Sequence, residues 1–188
     1  MSVRVVHLAD APTVVLDVAA WGLIHAGTGY LVHRLPAAWL SVDRWPFTER
    51  RWERGGRLYA RALRIDRWKD RVPEAGALFR GGVSKRTVSR SGGGLERFVV
   101  ETRRAELGHW LAALPGPVFA LWNPPAVVPV MVAYGLAVNL PFVAIQRYNR
   151  IRATRVLRRR GARQSGSAPG PAAARERSSR DTTGSSMP

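Results

Sequence analysis

The stretch Glu101–Trp110, ETRRAELGHW, sets a carboxylate and an imidazole three residues apart, at Glu106 and His109. The positions Leu95, Phe98, Val99, Thr102, Glu106 and His109 advance by three or four and predict one face of a helix. Residues three apart on a helix are surface neighbours. A carboxylate beside an imidazole fixes its tautomer, stabilises the imidazolium and raises its basicity, which is what a general base needs. The rival reading is a charged collar before an apolar segment, with Glu101–Arg104 and Arg103–Glu106 as i,i+3 ion pairs. A metal centre is disfavoured. E-x-x-H supplies at most two ligands, no second copy occurs, and His7, His25 and His33 lack suitable spacing. Nor is there a Gly-rich phosphate loop of the P-loop kind.

A second dense stretch is QRYNRIR, Gln146–Arg152. Arginines there could serve only as a basic anchor, as Arg155, Arg158, Arg159 and Arg160 do. Gln146, Tyr148 and Asn149 have no such use, and with Arg147 and Arg150 they form a set of directed groups suited to phosphate or sugar hydroxyls.

These stretches must be positioned by apolar segments. Ala11–Val32 is long enough to cross a hydrocarbon core at about 1.5 Å per residue. Asp17 and His25 lie inside it and require a partner or a wet cavity. A cleaved signal peptide fits less well, because its basic region would be Arg4 alone, offset by Asp10. Leu107–Gln146 carries no charge apart from His109 and is divided by Asn123-Pro124-Pro125 into arms 107–122 and 126–146. The first arm, broken by Pro115-Gly116-Pro117, either crosses or re-enters. The second holds Pro129, Asn139 and Pro141. The pair predicts a helical hairpin that brings ETRRAELGHW and QRYNRIR side by side.

The chain of 188 residues has 30 Lys and Arg against 13 Asp and Glu, a net charge of +17. Such an excess indicates an anionic partner or a membrane surface. Its distribution favours the membrane, since 42–106 carries 17 basic residues against 9 acidic, Arg147–Arg163 adds eight arginines and no acid, and Arg4 is the one basic residue before the first apolar run. The positive-inside rule then puts the N-terminus outside and both 42–106 and the C-terminal stretch in the cytoplasm of a multi-pass cell-membrane protein. Seven tryptophans, several at the edges of apolar runs, suit a membrane interface. The absence of cysteine excludes disulfides, thiolate metal sites and a cysteine nucleophile.

The expected fold is mainly α, with an N-terminal transmembrane helix, a cytoplasmic amphipathic or extended segment and a C-terminal Pro-containing hairpin. Residues 1–163 form one domain and 164–188, rich in Ser, Gly, Pro and Ala, a disordered tail. Trp45, Trp52, Tyr59 and Leu63 share a face if Thr48–Leu63 is one helix, either lying in the headgroup layer or packed on the core. Arg64–Gly76 reads as extended, turning at Pro73, and Gly81–Gly94 as a flexible basic loop.

Taken together, ETRRAELGHW, two apolar arms and NLPFVAIQRYNRIR resemble the glycosyl-4,4'-diaponeurosporenoate acyltransferases of staphyloxanthin-type carotenoid biosynthesis, over roughly Trp45–Arg163. Arg67–Gly76, RWKDRVPEAG, resembles a weaker upstream block of that family that includes Trp68 and Lys69. The resemblance implies an integral membrane acyltransferase that esterifies the C6 hydroxyl of the glucose on a carotenoid glycoside, its active site at the cytoplasmic face. It implies a carotenoid glycoside or related glycolipid as acceptor, a fatty acyl thioester such as acyl-CoA as donor, membrane lipid as surroundings, and no cofactor. On that footing His109 takes the hydroxyl proton and Glu106 orients it. Arg103, Arg104, Arg147 and Arg150 hold donor phosphates or a lipid headgroup, and Glu101, Gln146, Tyr148, Asn149, Trp68 and Lys69 complete the substrate-binding set. With no serine in the matching blocks, direct transfer is expected over an acyl-enzyme. The alternative is a non-enzymatic basic membrane protein that recruits anionic lipid or a partner enzyme. Nucleic-acid binding is disfavoured, because the basic clusters flank apolar arms and no recognition helix is evident.

Overall fold

The computed structural model describes residues 5–69 and 93–166. The described residues are helical, with no strand among them. Contacts divide the chain into two compact units, Met1–Thr154 and Arg155–Pro188. Helix α1 spans Asp10–His33, α2 Ala37–Ser41, α3 Arg57–Arg61, α4 Gly94–Ala113 and α5 Val128–Gly166. Short 3-10 turns cover Arg51–Gly56, Ile65–Arg67 and Gly116–Leu121.

Helices α1 and α5 are long and apolar enough to cross a membrane. Along α1, Thr13, Asp17 and Trp21 recur every four residues and form one buried stripe. Val14, Val15, Val18, Leu23, Tyr30 and Leu31 are exposed on its other sides. Asp17 finds the partners that its position demands. Its Oδ1 accepts from Trp122 Nε1 and from Asn123 Nδ2, each at 2.7 Å, so the Asn123-Pro124-Pro125 turn is fastened to α1. His25 Nδ1 reaches the Trp21 carbonyl at 2.9 Å.

Four sequence expectations are corrected. ETRRAELGHW lies inside the helix that the spacing from Leu95 predicts, α4, which starts at Gly94 and runs to Ala113, so 107–122 is not a helix of its own. That helix ends at Ala113, since Pro115 has no N–H to carry the ladder on to the Leu111 carbonyl, and Gly116–Leu121 continues as a 3-10 turn. Nor does the second arm stop at 146, since α5 continues through QRYNRIR with Pro141 inside it. Thr48–Leu63 is likewise not one amphipathic helix. Arg54, Gly55 and Gly56 take φ of 49°, 66° and 83°, the left-handed region, and break it in two. Tyr59 is buried while Trp45, Trp52 and Leu63 are exposed, so the four share no face. At 64–69 the chain forms the 3-10 turn Ile65–Arg67 instead of an extended run. Residues 70–92, which hold Pro73 and most of the expected basic loop, lie outside the described residues, as does the tail from 167.

Helices α1, α4 and α5 meet where Gly135 of α5 touches both others. A Cβ at Gly135 would stand 2.8 Å from Trp21 Cη2 and 2.9 Å from the Ala113 carbonyl oxygen. Neither an indole ring nor a backbone carbonyl yields easily. Gly135→Ala is therefore expected to cost about 1–3 kcal/mol, read as a lowered unfolding temperature of the purified chain in detergent.

Candidate active site

Glu53, on the turn Arg51–Gly56, and Glu106, on α4, are both 0% exposed. A buried carboxylate is tolerable only when paired and hydrogen-bonded. Arg147 of α5 meets that need for both. Its Nε and Nη2 grip Glu53 Oε1 and Oε2 at 2.7 and 2.8 Å, and its Nη1 donates to Glu106 Oε1 at 2.7 Å. The remaining N–H groups reach the Pro46 carbonyl at 3.0 Å and the Thr48 carbonyl at 3.1 Å, so all five guanidinium donors are used. Tyr59 Oη donates to Glu53 Oε1 at 2.6 Å and the Arg50 amide to Oε2 at 2.5 Å. One helical turn on from Arg147, Arg150 donates to Glu106 Oε2 and to the Phe47 carbonyl, the latter at 2.9 Å.

Burial by itself would raise the Glu53 carboxyl, but the bonds from Arg147, Tyr59 and the Arg50 amide outweigh it and hold the group below the ordinary carboxylate value. Burial, and then the bond to the Glu53 carboxylate, push the Tyr59 phenol upward.

The other predicted arginines are also committed. Arg103 donates from Nη1 to the Leu40 and Ser41 carbonyls, both at 2.8 Å, and from Nη2 to Asp43 at 3.2 Å. Arg104 pairs with Glu101 at 3.1 Å and uses Nη1 to cap the C-terminal end of α1, at the Val32 carbonyl (2.5 Å) and at Leu35 (2.8 Å). Carbonyls at a helix C-terminus have no donors within the helix, and a cation there also suits the dipole. The Tyr148 hydroxyl lies 3.0 and 2.9 Å from the two Asp66 oxygens, and its ring packs with Tyr59, Ile65, Ile145 and Ile151. Trp68 lies against that cluster and donates Nε1–H to the Leu63 carbonyl at 2.8 Å. Gln146, Asn149 and Lys69 are half-buried.

The expected partnership of Glu106 with His109 is not the one the fold makes. Both Glu106 oxygens face arginine, and His109 turns to α5. Its Nδ1 lies 3.1 Å from Asn139 Oδ1 and its ring stacks on Phe142 at 4.6 Å between centroids. Asn139 is 1% exposed, and its Nδ2 donates to the Gly135 carbonyl at 2.9 Å. A carbonyl only accepts, so the amide is oriented with Oδ1 toward the imidazole. Nδ1 of His109 therefore carries the proton, and Nε2 keeps the lone pair. The stretch QRYNRIR does come beside ETRRAELGHW, through Glu106, Arg147 and Arg150.

Sequence reasoning missed Glu53 and Asn139. Glu53 sits among arginines and tryptophans like any solvated acid, and nothing in its spacing marks it. Asn139 had a signal, a polar amide in the apolar arm 126–146.

The arrangement is that of a helical protein in which an imidazole of fixed tautomer adjoins a saturated, buried ion cluster. A family model described as CrtO, glycosyl-4,4'-diaponeurosporenoate acyltransferase, matches residues 43–159. The chain belongs to this family and is an acyltransferase. Proteins named glycosyl-4,4'-diaponeurosporenoate acyltransferase are among its relatives. One from Staphylococcus aureus (strain bovine RF122 / ET3-1) is 29% identical over 147 residues, which are 76% of this chain and 88% of that protein. One from Staphylococcus haemolyticus (strain JCSC1435) is 31% identical over 135 residues, 71% of this chain and 78% of that protein. No solved structure matches significantly. The matched span includes Glu53, Glu106, His109, Asn139, Arg147 and Arg150, while α1 precedes it.

Removing one carboxylate leaves arginine charge buried and unmatched. Glu106→Ala is expected to destabilise the chain by about 3–5 kcal/mol, and Arg147→Lys to resemble it, since one ammonium cannot replace a five-donor fork. Thermal unfolding of the detergent-solubilised protein checks both. A carboxyl with a depressed folded pKa contributes stability that is present above its ordinary value of 4.5 and lost as pH falls through the folded value. Unfolding temperature should accordingly fall on acidification below that value, and Glu53→Gln should flatten part of the slope.

Proposed function

We propose that the chain transfers a fatty acyl group from a thioester such as acyl-CoA to a sugar hydroxyl of a carotenoid glycoside, at the cytoplasmic face of the cell membrane. Family membership supports the acyl transfer, and the names of the relatives support the acceptor. The observation that carries the mechanism is the chain of bonds Gly135 carbonyl–Asn139–His109, which leaves an imidazole nitrogen ready to take a proton.

In this mechanism the sugar hydroxyl gives its proton to His109 Nε2 while its oxygen attacks the thioester carbonyl carbon. The carbon–sulfur bond then breaks, and the imidazolium returns the proton to the leaving thiolate. Asn139 is the positioning residue that Glu106 was expected to be. Glu106 acts at a distance, by tying α4 to α5 through Arg147 and Arg150. Gln146 and Asn149, half-buried on α5, are the candidates for the sugar. The guanidinium groups of Arg147 and Arg150 are engaged within the protein, so donor phosphates are met by other groups.

The exposed apolar sides of α1 face lipid in this reading. The charge distribution supports an N-terminus outside, with Arg147–Arg163 in the cytoplasm.

Membranes containing the chain, given a glucosylated carotenoid and an acyl-CoA, are expected to form a product heavier by one acyl group in mass analysis. His109→Ala should lower the rate by about 10²–10⁴-fold, and Asn139→Ala by less, with protein levels preserved. Full activity in His109→Ala would remove the proposed base.

A further inference from the structure

The stripe of α1 continues by the same step of four to the half-buried His25, and here two polar atoms stand out. Trp21 is 7% exposed, and its Nε1–H is buried with no hydrogen-bond partner. His25 Nε2 is also buried without one. Nδ1 of His25 faces the Trp21 carbonyl at 2.9 Å, and a carbonyl only accepts, so Nδ1 holds the proton and Nε2 is an unprotonated acceptor. Buried polar atoms are almost always paired, and an orphan calls for a cause. The rings of Trp21 and His25 meet edge to face at 5.7 Å, which places one unpaired donor and one unpaired acceptor together.

This pair lies toward the candidate base. Val32, two turns beyond His25 on α1, lies against Gly108, the residue before His109. Trp21 contacts Tyr134 at 5.0 Å between centroids, and Gly135, whose carbonyl holds Asn139, lies against its ring. A hydroxyl both donates and accepts, so a polyhydroxylated group beside His109 would supply what each orphan lacks. A thioester, an acyl chain or a carotenoid backbone offers no donor to an imidazole lone pair.

We infer that Trp21 and His25 form a subsite for the sugar of the acceptor, with His25 Nε2 accepting a hydrogen bond from a sugar hydroxyl other than the one acylated. Helix α1 is then part of the acceptor site, although it lies before the residues matched by the family model. The inference rests on the acyl-transfer reading above, and His25 is a positioning residue in it.

The test measures KM and kcat for acceptor and donor in membranes holding the full chain, with wild type, His25→Phe and His25→Gln, using a glucosylated carotenoid and its mono-deoxy glucose analogues. His25→Phe should raise the acceptor KM on the order of tenfold, with kcat and the KM for acyl-CoA within about twofold. His25→Gln, which keeps an acceptor oxygen, should recover part of the loss. One deoxy analogue should show the raised KM with wild type and no further rise with His25→Phe. KM does not depend on the amount of folded enzyme, so poor accumulation of a variant leaves the result readable. An active wild type whose acceptor KM is unmoved by His25→Phe overturns this inference alone, as does a rise that persists equally with every deoxy analogue. A wild type that acylates no glycoside overturns the functional reading and this inference with it.

Discussion

The structure depends on two carboxylates placed where water cannot reach them. Glu53 and Glu106 are both fully buried, and their charge is tolerable only because Arg147 lies between them with every donor engaged. Ion pairs of this kind add little net stability compared with apolar packing, but each partner is expensive to lose. Their effect is one of register. The 46–53 segment, α4 and α5 have one mutual arrangement in which no buried charge is left over, and the cluster selects it.

The chemistry inherits that register. Glu106 and His109 are three residues apart on α4, and both face α5, one toward Arg147 and Arg150 and the other toward Asn139. Once the ion cluster fixes α4 against α5, His109 meets an amide whose orientation is itself fixed by the Gly135 carbonyl. Gly135 has a second use there, since the missing Cβ lets Trp21 of α1 close on the same point. Ion cluster, imidazole and the Trp21–His25 pair of α1 are thus held by contacts among α1, α4, α5 and the 46–53 segment.

Much of this is legible in the chain. The long apolar helices, the turn at Asn123-Pro124-Pro125 and the meeting of ETRRAELGHW with QRYNRIR all follow from local composition, because an apolar run, a proline pair and a basic exit each act on their own neighbourhood. The middle segment is less legible. Tyr59 and Trp52 keep helical spacing on paper, yet Arg54, Gly55 and Gly56 turn left-handed, and Gly56 packs beside the Tyr148 ring. That ring comes from α5, far along the sequence, and periodicity within 48–63 carries no information about it.

The sequence by itself determined the helical class, the apolar helices, the acyltransferase resemblance and the identity of the one histidine in the conspicuous motif, because these rest on residue types and near-neighbour spacing. Only the tertiary structure decided what each charged group is for. Glu106 and His109 are neighbours by spacing, yet a buried carboxylate is governed by the strongest opposite charge within reach, and that charge arrives from α5 as Arg147 and Arg150. The imidazole is left to Asn139, and the arginines that looked free to hold a ligand hold the fold. Pairing across a chain is set by which groups are buried together, and spacing along the chain cannot state that.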